Sequence, residues 1–137
     1  MILFKRLNYK NFLSSGNQPI VIDLDKSQMT LIVGTNGSGK STLLDALCFV
    51  LFNRPFRIIK KEQMVNTINN GDCIVEVDFE VGTKNYKVRR GIKPNLFEIF
   101  CDGKKLNQDA NNIDYQKYLE QNIMKLNYRS FIQVVLL

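Results

Sequence analysis

Gly34-Thr35-Asn36-Gly37-Ser38-Gly39-Lys40-Ser41 satisfies every position of the pattern G-x-x-x-x-G-K-[ST]. Immediately before it, Met29 to Val33 (MTLIV) is a short continuous apolar run, which predicts a strand buried on both faces. Immediately after it, Lys40 to Phe52 is rich in helix formers and apolar nearly all round, which predicts a buried helix. Strand, glycine-rich loop and helix in this order can wrap a polyphosphate. Several backbone N–H groups converge on the anion, the glycines permit the tight curvature, and the helix start adds its partial positive charge. A turn that only linked strand to helix would not need Lys-Ser at this spacing. The candidate nucleotide-binding residues are Gly34, Thr35, Asn36, Gly37, Ser38, Gly39, Lys40, Ser41 and Thr42. In such a loop the Lys40 ammonium lies between β- and γ-phosphate oxygens as the candidate catalytic group, and the Ser41 hydroxyl takes one position on Mg2+.

Working outward, Pro55 disfavours helical geometry at Arg54, so the helix is expected to stop near Asn53. Residues 53–71 read as an irregular connection. Residues 2–12 and 19–24 mix apolar, basic and β-favouring residues around a Ser-Ser-Gly-Asn turn at 14–17, and predict a hairpin. Val75 to Val81 alternates strictly, as an antiparallel strand with one wet face does, and Tyr86 to Arg89 follows suit. With Gly82 to Asn85 as the turn, Val81 faces Tyr86, Phe79 faces Val88, Glu80 faces Lys87 and Asp78 faces Arg89. Leu96 to Cys101 is a third strand, closed by a tight turn at Asp102-Gly103. Residues 112–126 carry apolar groups at helical spacing. Phe131 to Leu137 (FIQVVLL) predicts the start of a buried strand, and a chain ending there suggests a fragment of a longer polypeptide.

Composition removes alternatives. With 137 residues there is room for about one domain, and 45% hydrophobic with 23% charged residues fits a globular chain. No histidine is present, which excludes imidazole metal sites and Ser/His or Cys/His nucleophile pairs. Cys48, Cys73 and Cys101 are odd in number without CxxC spacing, so free thiols in a reducing cytoplasm are expected. No apolar run approaches the roughly 20 residues of a membrane span, so no membrane partner is expected. The net charge of +6 permits nucleic acid without requiring it.

Phosphate binding alone does not choose among kinases, GTPases and ATPases. Lys10-Asn11-Phe12, the loop Thr35 to Thr42, Leu43 to Leu47, the PFR…KKEQMVN stretch (Pro55 to Asn66) and KVRRGIKPN…FEI (Lys87 to Ile99) together resemble the SbcC/Rad-fifty family of SMC-like ATPases. The similarity is strongest to those ATPase subunits that large tailed bacteriophages pair with a recombination endonuclease. It implies an α/β fold: the N-terminal half-domain of a P-loop NTPase of ABC/SMC type with an antiparallel β lobe. On that reading 1–60 holds the first strands, the loop and the buried helix, 72–106 the β lobe, and 112–137 a helix and the start of a core strand. It further implies ATP and Mg2+ as cofactors and a homodimer of heads closing through ATP. An Mre-type/SbcD-like nuclease subunit and double-stranded DNA are the implied partners, in the host cytoplasm if phage-encoded. In this family the Walker B acid, catalytic glutamate and signature motif come from a later segment, so residues 1–137 alone are expected to be nearly inactive.

Two positions depart from the family. Leu13 stands where a basic residue is usual, leaving Ser14 as the nucleotide contact there, and Gln133 comes too early for the family's metal-contacting glutamine. Asp45, one turn beyond Ser41, reads first as a solvated or paired helix-face carboxylate and second as a magnesium ligand. Lys60 and Lys61 read first as solvated charge. Lys84, Lys87, Arg89, Arg90, Lys93, Lys104 and Lys105 concentrate positive charge on the β lobe, where the resemblance places DNA. A small-molecule kinase or GTPase remains an alternative, although no Asn-Lys-x-Asp occurs. A non-catalytic DNA-binding or dimerisation module that has kept the loop as scaffold is another.

Overall fold

Alternating apolar and polar residues give a strand one greasy and one wet face, and the described residues use this pattern to build an antiparallel sheet covered by helices on one side. The computed structural model describes residues 2–12, 19–24, 38–54, 71–93, 95–106 and 112–135, without the side chains of 38–43, 112–114 and 132–135. Its strands are β1 (Ile2–Lys10), β2 (Ile20–Asp23), β3 (Cys73–Val81), β4 (Lys84–Ile92), β5 (Leu96–Cys101) and β6 (Lys104–Lys105), in the order β2-β1-β3-β4-β5-β6. Every pairing is antiparallel. The N-terminal hairpin therefore joins the β lobe in one sheet, through β1 against β3. The expected strand at Met29 to Val33 lies outside the described residues.

The β3–β4 hairpin corrects the expected register. Its loop is Gly82-Thr83 alone, so Val81 pairs with Lys84, Phe79 with Tyr86, Asp78 with Lys87 and Glu76 with Arg89. Gly82 has φ +63°, the geometry that a two-residue loop wants at its first position so that the strands keep their right-handed twist. The offset from the expected pairing is two residues, so both faces survive while each cation acquires a different carboxylate. Lys87 lies 3.8 Å from Asp78, and Arg89 lies 3.0 Å from Glu76 and 3.9 Å from Glu98.

On the inner face Leu7, Tyr9, Val75, Val77, Phe79, Val88 and Ile99 belong to one buried cluster with residues of α1 (Ser38–Phe52), which starts two residues earlier than expected and is buried at every position from Leu44 to Phe52. Phe12 stacks on Phe49 of this helix, with ring centroids 5.9 Å apart. At one end of the sheet three left-handed residues meet: Asn11, Asp72 and Lys93, at φ +51°, +50° and +53°. Asn11 Nδ2 donates to the Asp72 carbonyl at 3.3 Å, and Asp72 N–H donates to the Lys93 carbonyl at 2.8 Å.

The C-terminal segment differs from expectation twice. The helix predicted over 112–126 is α2 (Asn112–Tyr118) followed by a π-helical stretch, Leu119–Met124, ended by Lys125 in left-handed geometry. Tyr115 ties α2 to the sheet: its hydroxyl accepts from Ile99 N–H and donates to the Leu106 carbonyl, both at 3.1 Å. The strand expected from Phe131 is instead helical through Val135, in α3 (Tyr128–Val135). Asn127 caps it, its Oδ1 accepting from Ser130 N–H at 2.8 Å. A short apolar run does not distinguish strand from helix by itself, and the cap decides. Phe131 packs into the core against Phe52 and Phe4, with centroids 5.3 and 6.0 Å away.

Candidate functional site

The glycine loop itself, Gly34, Thr35, Asn36 and Gly37, lies outside the described residues, as do Ser14, Lys60 and Lys61. What is described is the helix it enters. Ser38, Gly39, Lys40 and Ser41 form the opening turn of α1, whose first four N–H groups have no partner within the helix. No acidic side chain stands in that turn to neutralise its partial positive charge. A helix start of this kind offers free N–H groups and partial positive charge to an anion.

One turn further on, Asp45 is 0% exposed, so of the expected solvated or paired helix-face carboxylate the solvated alternative is corrected, and the carboxylate is an engaged one. Its charge and the burial around it act together on Cys48: burial pushes the thiol up to about 12, Asp45 adds to the rise, and Arg54 opposes it. Burial pushes Cys73, at the head of β3, up to about 12 as well. Neither is a nucleophile at neutral pH.

At the other end of α1, Asn53 turns left-handed (φ +61°), its N–H bonded to the Phe49 carbonyl at 2.8 Å. The Arg54 guanidinium lies 3.9 Å from the centre of the Tyr128 ring. Beside this helix end, Phe52, Arg90, Phe97, Gln116 and Glu120 border an open concavity of about 880 Å³. Arg90 is expected among the cations concentrated on the β lobe, and the structure corrects this. Arg90 is 5% exposed and shares the inner face of β4 with Val88 and Ile92. Strand parity carried the signal, since neighbouring residues of a strand point to opposite faces.

The remaining basic residues are distributed unevenly. On the wet face Lys87 and Arg89 are paired as above, and Lys105 lies 2.9 Å from Glu98. Lys84 and Lys104 are exposed and have no ion-pair partner among the described residues. They stand at neighbouring hairpin ends, joined by Asn85 N–H to Asp102 Oδ1 at 2.9 Å and Asp102 N–H to the Asn85 carbonyl at 2.7 Å. Gln133 lies on α3, and of its side chain nothing is described. Among the described residues no cluster of His, Cys, Asp or Glu could hold a metal ion, and no helix is long and apolar enough to cross a membrane.

A six-stranded antiparallel sheet over a helix that is buried from Leu44 to Phe52 and follows a phosphate-loop pattern is the fold of the N-terminal half of SMC-type P-loop ATPase heads. A family model described as "AAA domain" matches residues 6–136, and the chain belongs to that family. Exonuclease subunit 2 of Escherichia phage RB69 and of Enterobacteria phage T4 are each 47% identical over 132 residues, 96% of this chain and 23% of theirs. The DNA double-strand break repair Rad50 ATPase of Thermoplasma volcanium is 30% identical over 138 residues, 96% of this chain and 14% of its own. The chain thus spans less than a quarter of these relatives. A chain solved in work on ATP-driven dimerization and DNA stimulated activation of SMC ATPases shares the fold with TM-score 0.61 at 20% identity, over 94% of this chain and 83% of that one. The Smc head domain of Pyrococcus furiosus does so with TM-score 0.55 at 22% identity, over 91% and 33%.

Proposed function

We propose that this chain is the ATP-binding N-terminal part of an SMC-like ATPase that works with a nuclease in double-strand break processing and recombination. The observation that carries the reading is the unbroken Gly34 to Ser41 pattern running into a 15-residue helix whose first turn bears no acid. The names borne by the phage and Rad50 relatives point the same way. ATP with Mg2+, when bound, supplies the scissile phosphoanhydride and the cation that draws charge from it. The chain's own part is to bind and orient: the amides around Gly37 to Ser41 hold phosphate oxygens, Lys40 offsets their charge, and Ser41 holds the metal through its hydroxyl. Closure of two such heads over nucleotide, an Mre-type/SbcD-like nuclease subunit as partner, and action in the cytoplasm belong to the same proposal.

Double-stranded DNA is the proposed polyanionic partner, with Lys84 and Lys104 offering charge that no carboxylate described here offsets. Calorimetric titration of Mg-ATP into the full-length protein and its Lys40→Ala variant tests the nucleotide site. Loss of one charge-assisted contact costs about 1.5–3 kcal/mol, roughly ten- to a hundredfold in affinity. Equal affinities would favour a module that has kept the loop only as scaffold.

A further inference from the structure

Burial of α1 from Leu44 to Phe52 is strong but non-directional. Packing of this sort resists withdrawal of the helix, yet discriminates weakly against a small rotation about its axis or a slide along it. Directional contacts stand at the C-terminal end, where the last four carbonyls of any helix lack intrahelical donors. Arg90 reaches inward from β4, and its Nε donates to the Val50 carbonyl at 3.1 Å. Gln116 reaches across from α2, and its Nε2 donates to the Leu51 carbonyl at 2.8 Å. The two are joined, Arg90 donating through its terminal guanidinium nitrogen to Gln116 Oε1. Gln116 Nε2 also donates to Glu120 Oε2 at 2.7 Å, and the Arg90 guanidinium lies 3.7 Å from the centre of the Phe97 ring opposite it. Keeping this cation inside is costly: burial pulls its pKa down to about 9, with Glu120 opposing. Buried charge of this kind is poor evidence for stability and better evidence for specificity of arrangement.

We propose that Arg90, acting through Gln116, is a positioning residue for the phosphate-binding helix, fixing the rotation and axial register of α1 and so the presentation of Lys40 and Ser41. This rests on the nucleotide-binding function proposed above. Fifteen helical residues span about 22 Å. Because a helix moves as one body over that length, a slide of about 1 Å at the clamp carries the opening turn by about 1 Å, a misplacement that can cost on the order of a hundredfold in rate. The clamp also makes α1 answer to any displacement of α2, because one amide side chain serves both.

The test compares full-length wild-type protein with Gln116→Met, Arg90→Met, Arg90→Lys and Lys40→Ala, measuring Mg-ATP affinity, kcat, KM and thermal midpoint. Gln116→Met keeps a side chain of similar size and is expected to lower kcat about tenfold while changing ATP affinity less than threefold. Arg90→Lys, which retains one donor, is expected to fall between wild type and Arg90→Met. If the Gln116 and Arg90 variants melt earlier but keep kcat within twofold of wild type while folded, the clamp is only structural and the inference is overturned. The Lys40→Ala arm separates the two failures, since unchanged ATP affinity there brings down the nucleotide site itself, and the positioning role with it.

Discussion

Cys48 and Cys73 make the core's response to alkali calculable. Both thiols are fully buried and held near 12, against an ordinary value of 9.0. Below pH 9 the thiols are protonated whether the chain is folded or not, and their full contribution to stability is present. Above it the unfolded chain releases protons that the folded one retains, so stability falls as pH rises from about 9 to about 12. Each pH unit in that window removes about 1.4 kcal/mol per thiol. By pH 10.5 the loss is about 2 kcal/mol for each, or about 4 for the pair, a large share of the 5–15 kcal/mol typical of a domain. Urea unfolding of residues 1–137 under reducing conditions, from pH 8 to 10.5, should show wild type losing stability more steeply than Cys48→Ala/Cys73→Ala. The expected difference is about 3 kcal/mol per pH unit. Lysine, tyrosine and arginine titrations are shared by both proteins and cancel in that difference. Parallel curves for wild type and the double variant would refute the reasoning.

Phe12→Ala should destabilise by about 3–5 kcal/mol in urea titrations, and a double-mutant cycle with Phe49→Leu should show a coupling of about 0.5–1.5 kcal/mol from the stacked rings. Strictly additive effects would mean the rings do not meet. Glu98→Gln removes the carboxylate shared by Arg89 and Lys105, yet these cations remain substantially solvated, so thermal melts should register at most about 1 kcal/mol, shrinking further in high salt. Asn127→Ala should cost about 1 kcal/mol by removing the cap of α3, with faster amide exchange at Ser130 as the local sign.

Much of this molecule was legible from residue order because local chemistry and tertiary structure agree. The strict alternation of Val75 to Val81 argues for a half-wet strand and the apolar circumference within Lys40 to Phe52 for a buried helix, and the structure has both, the helix buried from Leu44. Where the structure differs from expectation, two local solutions are of similar merit. Gly82-Thr83 and Gly82 to Asn85 both place like faces together, and only the backbone conformation of Gly82 chooses between them. FIQVVLL suits a strand as well as a helix until Asn127 is seen bonding back to Ser130. Arg90 reads as one of a run of basic residues until strand parity puts it on the inner face of β4. Lys40 and Ser41 were legible as a pattern, and their side-chain placement lies beyond what is described.

Arg89 and Arg90 sit side by side yet live in different solvents, one among carboxylates and water, the other against an aromatic ring, a helix carbonyl and a side-chain amide. A codon gained or lost in β4 upstream of them would exchange those environments, turning Arg89 in towards the core and Arg90 out among the carboxylates. A change of two codons would preserve the sides. Lineages of this domain should therefore tolerate length variation in β4 in even steps, and purge it in odd ones.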